Sequence, residues 1–211
     1  VFHPYGYGSL ADEWFGLPEF VRMPGEYARN RLDRLAKMCG GTAFGLDLLA
    51  SSRGIDLLLC SGNVEADKIG MYGLSQGGQT ALYLSALDSR IRATVVSAYF
   101  NLRIQKLIGP CNSLSYLDSK EEDKFFSEVI STFSDSDLAS LIAPRSLAIE
   151  AGLLDDSVDF SQAQAEFQQA KLHFEQLGIA NRIEFIAHQS GHISATRRAF
   201  DFLEKKLSES T

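Results

Sequence analysis

Cysteine is scarce: the 211 residues hold three, Cys39, Cys60 and Cys111, far apart and odd in number. That spacing gives neither a disulfide framework nor a metal-ligand cluster, so free or buried thiols and no metal are expected. Positive charge is short as well. Lys and Arg number 20 against 27 Asp and Glu, a net charge of −7, and a chain of that sign is not expected to bind nucleic acid or an anionic membrane. No apolar run approaches the ~20 residues that cross a bilayer, which excludes a spanning helix and leaves a soluble chain as the expectation. Repeats, low-complexity tracts and linkers are missing too. So is an initiator methionine. Val1 and Phe2 lead straight into a loop, His3-Pro4-Tyr5-Gly6-Tyr7-Gly8-Ser9, with no signal peptide before it. A fragment or a processed product is therefore expected, and the compartment stays open.

What is present has a globular balance, 45% hydrophobic and 22% charged, and the length suits one domain over 1–211. Apolar spacing predicts a helix over 26–38, ending at Gly40-Gly41. The apolar run Thr42 to Leu48 suits a buried parallel strand, with a helix from Leu48 to Cys60. Strands are then expected at Lys68 to Tyr72, Ile91 to Ala98, Ser146 to Ala151 and Arg182 to Ala187. Helices are expected at Gln76 to Leu87, over 163–177 before Gly178, and at Thr196 to Leu207. Residues 99–143 break the rhythm and are expected to wall a pocket. Strands alternating with helices imply a parallel sheet covered on both faces.

Gly73-Leu74-Ser75-Gln76-Gly77 lies between the strand at Lys68 and the helix at Gln76. A strand running into a helix through such a turn exposes the serine hydroxyl at the carboxyl end of a sheet, where a base can reach it. Glycines beside it remove Cβ atoms that would clash where strand and helix pass. Ser75 is thus the candidate nucleophile; the alternative is a Gly-rich turn with Ser75 as an ordinary helix cap.

A serine hydroxyl needs a base, and the base an orienting acid. His173, His188 and His192 follow Ser75 in the chain. His173 falls inside the expected helix, whereas His188 and His192 both follow the last strand. Gly191 allows a sharp turn at His192, which makes it the first candidate, with His188 as the second. The acid is expected after the strand at Ser146, where Gly152-Leu153-Leu154-Asp155-Asp156 lies. Asp155 is the first choice, Asp156 and then Asp159 the others, with helix capping as the alternative role. The oxyanion needs two backbone donors. The Gln76 amide follows the nucleophile directly, and the loop His3-Pro4-Tyr5-Gly6 offers the second. Pro4 has no N–H, so Tyr5 is preferred and Gly6 is the fallback.

With these residues in place the chain resembles an α/β-hydrolase, most of all the acetyl xylan esterase and dienelactone-hydrolase-like branch. The likeness runs from His3-Pro4-Tyr5-Gly6 through Asp67 to Gly78, Ile142-Ala143-Pro144-Arg145, Gly152-Leu153-Leu154-Asp155 and Ser190-Gly191-His192. It implies a three-layer α/β sandwich with a mostly parallel sheet, here without the strands expected before the oxyanion loop. It carries Ser75 as nucleophile, Asp155 as acid and His192 as base. It implies hydrolysis of carboxylic esters, with small-molecule or acetylated carbohydrate esters as substrates and no cofactor. Dienelactone hydrolases proper place cysteine where this chain has Ser75, which favours an esterase over a lactonase. Arg145 is expected to pair with an aspartate and hold its loop. The alternatives to an esterase are a serine peptidase of the same fold and a non-catalytic relative that binds a ligand or partner.

Overall fold

The computed structural model describes residues 25–62, 64–109, 114–194 and 197–209. Helices α1 (Gly25–Met38) and α2 (Ala43–Cys60) come first. Then β1 (Ile69–Leu74), α3 (Gln76–Leu87) and β2 (Ile91–Ser97) alternate. Three short helices follow, α4 (Arg103–Ile108), α5 (Val129–Thr132) and α6 (Asp135–Ile142). The chain closes on β3 (Ser146–Gly152), α7 (Phe160–Gln176), β4 (Ile183–His188) and α8 (Arg197–Ser208).

The strands are parallel and ordered β1-β2-β3-β4. Parallel neighbours need a crossover, and the crossovers put helices on both faces of the sheet. Side chains alternate accordingly. Ala93, Val95, Ala148 and Ile186 pack against Ala199, Phe202 and Leu203 of α8. On the opposite face Val96, Leu147 and Ile149 meet Ala81 and Leu82 of α3 and Phe167, Ala170 and Phe174 of α7. With both faces covered, all seven residues of β3 are buried, which is why its sequence is nearly continuous in apolar residues.

The strand expected from Thr42 to Leu48 is instead the first turns of α2. Thr42 is extended (φ −140°) and its hydroxyl accepts the Gly45 N–H, an N-cap that starts the helix there. Ala43 and Phe44 are buried, as are Gly54 and Ile55, which lie three helical turns further on. A short apolar run has no period of its own that separates a strand from a buried helix.

Charged residues anchor the segment between β2 and β3. Arg103 grips both Asp135 oxygens, with Nε at 3.0 Å from Oδ1, and its guanidinium lies 4.3 Å from the Tyr99 ring centre. Asp135 also accepts the Asn101 N–H at 3.0 Å. Arg145 departs from expectation: it donates to the backbone carbonyls of Asp88 and Ile91, at 3.1 and 2.9 Å, and to that of Leu141. It ties the end of α3 to the starts of β2 and β3 through carbonyls rather than a carboxylate.

Candidate active site

β1 ends at Leu74 and α3 begins at Gln76, so Ser75 alone makes the turn, at φ 58° and ψ −118°. A non-glycine residue there is strained and must be held by its surroundings. Its N–H donates to the Ser97 carbonyl at 2.9 Å, and its carbonyl accepts the Gln79 N–H at 3.0 Å. The glycines contribute unequally. A Cβ on Gly73 would stand 1.9 Å from the Gly77 carbonyl oxygen, and one on Gly78 would stand 2.7 Å from the Ser97 oxygen. A Cβ on Gly77 would meet nothing within 4 Å. Close passage of strand and helix thus rests on Gly73 and Gly78, and Gly77, the second glycine of the five-residue motif, is not needed for it.

The candidate base and acid, His192 and Asp155, come from neighbouring loops that extend the β3–β4 pair. The Leu153 N–H donates to the His188 carbonyl at 2.9 Å and the Leu154 N–H to the Ser190 carbonyl at 3.2 Å. Gly152 lets the loops meet, since a Cβ there would stand 2.4 Å from the Ser190 oxygen and 2.7 Å from the Gly191 oxygen. The stapling carries Asp155 under His192. His192 Nδ1 lies 3.0 and 2.9 Å from the two Asp155 oxygens. Asp155 Oδ1 also accepts the N–H groups of Ser157 and Val158, at 2.8 and 2.9 Å. A carboxylate only accepts, so Nδ1 carries the proton and Nε2 keeps its lone pair.

The other candidates go elsewhere. Asp156 is exposed and accepts only the Ser157 hydroxyl at 3.2 Å. Asp159 caps α7, accepting the Gln162 N–H at 3.0 Å. His188 ends β4, where its Nδ1 accepts the Ser190 N–H at 3.3 Å and so helps fix the turn. His173 lies within α7. His3, Tyr5 and Gly6 lie outside the described residues.

Ser75, Gln76 and His192 share the wall of one cavity of about 240 Å³ with Ala98, Lys106 and Tyr116. Residues from 99–143 supply much of that wall. The Asp155 hydrogen bond is the main cause that lifts the His192 imidazole above its ordinary 6.5, against the opposing effect of burial. Burial would raise the Asp155 carboxyl, but the bonds from His192, Ser157 and Val158 outweigh it and hold the group below its usual range. Behind Gln76 stands Lys124, whose Nζ donates to the side-chain oxygens of Gln76 (3.1 Å) and Gln79 (3.2 Å) and meets Asp123 at 3.3 Å. Arg29 of α1 joins Asp123 (2.7 Å) to Asp47 of α2 (2.6 Å). Sequence reasoning missed Lys106, Tyr116 and Lys124, because no motif marks a charge that folding buries. Among the described residues no group of His, Cys, Asp and Glu could hold a metal ion, and no helix is long and apolar enough to cross a membrane.

Solved structures align over most of the chain. The glucuronoyl esterase catalytic domain from Hypocrea jecorina gives a TM-score of 0.69 at 19% identity, over 88% of this chain and 58% of that one. A carbohydrate esterase family 15 glucuronoyl esterase from Caldicellulosiruptor kristjansonii gives 0.65 at 21%, over 80% and 51%. The fold is that of an α/β-hydrolase. In this chain β1, the turn at Ser75 and α3 form the strand–turn–helix elbow. A family model described as BAAT / Acyl-CoA thioester hydrolase C terminal matches residues 52–108, the stretch that contains the elbow. A curated relative, "Putative hydrolase YtaP" of Bacillus subtilis (strain 168), is 25% identical over 210 residues, 96% of this chain and 66% of that protein. The chain therefore spans 66% of that relative and 51% and 58% of the two esterases.

Proposed function

We propose that this α/β-hydrolase is a serine hydrolase of carboxylic esters, with Ser75 as nucleophile, His192 as base and Asp155 as its orienting acid. The observation that carries it is the Asp155–His192 contact, with His192 on the wall of a cavity that Ser75 also lines from a strained elbow. In the first half-reaction Ser75 Oγ attacks the ester carbonyl and His192 Nε2 takes the hydroxyl proton. The Gln76 amide, first in α3, donates to the oxyanion, helped by the positive end of that helix. His192 then gives its proton to the leaving alcohol, and an acyl group remains on Ser75. Water repeats the sequence, with His192 again as base, and releases the acid. Tyr5 is the proposed second oxyanion donor. The steps need no cofactor. Carbohydrate esters are the first substrate class to test, since the aligned esterases include glucuronoyl esterases.

A fluorophosphonate probe tests the chemistry directly. It is expected to label one peptide, the one containing Ser75, and to leave Ser75→Ala unlabelled; labelling that persists in Ser75→Ala would remove Ser75 as nucleophile. A panel of nitrophenyl esters of increasing acyl length then reads the acyl preference. The match at 52–108 favours one further arm, a thioester substrate. The same acyl-enzyme serves it with a thiol leaving, so faster turnover of acyl thioesters than of matched oxygen esters would reassign the leaving group and keep the residues.

A further inference from the structure

Away from the groups assigned to the chemistry, the cavity wall is rich in hydrogen-bond donors. Lys106 of α4 is buried, 4% exposed, yet it lines the cavity. Among the described residues its Nζ donates to the Ser157 carbonyl and lies 4.5 Å from the centre of the Tyr116 ring. An ammonium has three N–H donors and one carbonyl uses one of them. Ser115 Oγ accepts the Leu117 N–H at 3.0 Å and Ser119 Oγ accepts the Glu121 N–H at 3.1 Å. Each hydroxyl, used there as acceptor, keeps its own O–H to donate. The other cation on the wall, Lys124, is already engaged by Asp123, Gln76 and Gln79. Glu121 is the acid on the wall, and it shares that wall with both lysines.

We propose that Lys106, Ser115 and Ser119 form a subsite for a carboxylate carried by the ester substrate. A carboxylate repays a buried ammonium better than a neutral acceptor, because charge-assisted hydrogen bonds are roughly twice as strong as neutral ones. The ammonium stands in need of such a partner: burial pushes Lys106 down to about 8, with Glu121 opposing that shift, Arg103 adding to it and Asp155 again opposing. In the free protein Lys106 also braces Ser157, two residues past Asp155, so a bound carboxylate would sit beside the proposed acid loop. The substrate class is an ester with a free carboxylate on either its acyl or its alcohol half. The subsite rests on the esterase proposal for the ester, but its binding can be measured without turnover.

The 211-residue chain carrying Ser75→Ala is titrated by calorimetry at pH 7 with two pairs of ligands. Monoethyl succinate against ethyl butyrate places the charge on the acyl half, and 4-acetoxybutanoate against butyl acetate places it on the alcohol half. The charged member of at least one pair is expected to bind about tenfold more tightly or better, the worth of one hydrogen bond to a charged group. Adding Lys106→Met should bring that ratio to near one, and Lys106→Arg should retain much of it. Equal affinities within both pairs, or a preference that survives Lys106→Met, would overturn the subsite. So would a Lys106→Met chain that weakens all four ligands alike, because Lys106 would then only brace Ser157. The same esters given to the chain with Ser75 intact separate the two proposals. No turnover with the binding preference intact supports the subsite and sinks the esterase, whereas turnover with no preference sinks the subsite alone.

Discussion

At the scale of single residues, two adjacent aspartates have opposite fates, and that makes them the sharpest test of the proposed chemistry. Asp155 accepts from His192, Ser157 and Val158, whereas Asp156 is exposed and accepts from one hydroxyl. Asparagine at 155 would present a donor to His192 Nδ1 and reverse the tautomer. The same change in a trypsin-type triad costs about 10⁴ in rate, and a loss of that order is expected here. Asp156→Asn should keep activity within a few-fold. Parallel kinetics, with circular dichroism to exclude unfolding, decide between them; a dead Asp156→Asn would move the acid one residue along. Ser75→Ala should lose on the order of 10⁶ in rate. The pH dependence follows from the raised His192 pKa. A base must be unprotonated, so activity falls as pH drops through the imidazole's own value, which here lies above 6.5. A rate that stays flat from pH 5 to 8 would remove His192 as base.

At the scale of elements, the turn at Ser75 was legible in the sequence because a glycine pattern, a strand and a helix coincide there. Which glycines matter was not legible, because that depends on how closely the elements pass. Gly73→Ala drives a Cβ to within 1.9 Å of the Gly77 carbonyl oxygen, so the elbow must open. Gly77→Ala meets open space within α3, and the helix propensity of alanine makes it neutral or stabilising by up to about 1 kcal/mol. Ester turnover and melting temperature measured together should show Gly73→Ala inactive and destabilised, with Gly77→Ala close to the starting protein. A healthy Gly73→Ala would mean that β1 and α3 can part at the elbow without loss of activity. The boundaries of α3 and of β2 to β4 were also readable to within about two residues, since buried parallel strands are near-continuous apolar runs. The strand expected at Thr42 failed for the same reason. Its short run of Ala43, Phe44, Leu46 and Leu48 fits a buried strand as well as a buried helix face, and the cap at Thr42 decided for the helix.

At the scale of the whole molecule, what the sequence concealed is charge placed inside. Nothing in the sequence marks Arg103, Lys106, Lys124 or Asp135 as interior, since charged side chains are rarely fully buried without partners. Folding buries them, and they tie residues 99–143 to one another, to α3 and to the loop after β3. Such ties make the stability of residues 99–143 depend on buried charge. The Arg103–Asp135 pair shows it most plainly, with side chains 6% and 1% exposed. Replacing only Asp135 by Ala strands a buried guanidinium and frees the Asn101 N–H, so a loss of about 3–5 kcal/mol is expected. For a chain of this size that corresponds to a fall in melting temperature on the order of 10 °C. Replacing both residues with apolar ones of similar volume, Arg103→Met with Asp135→Leu, removes the uncompensated charge and should restore much of the loss. Thermal unfolding followed by circular dichroism reads both variants. If Asp135→Ala melts within a degree or two of the starting protein, water reaches Arg103 and this segment is not held by a buried pair. If the double variant melts no higher than the single one, the pair acts through its geometry, fixing Asn101 and the start of α4, and apolar packing cannot replace it.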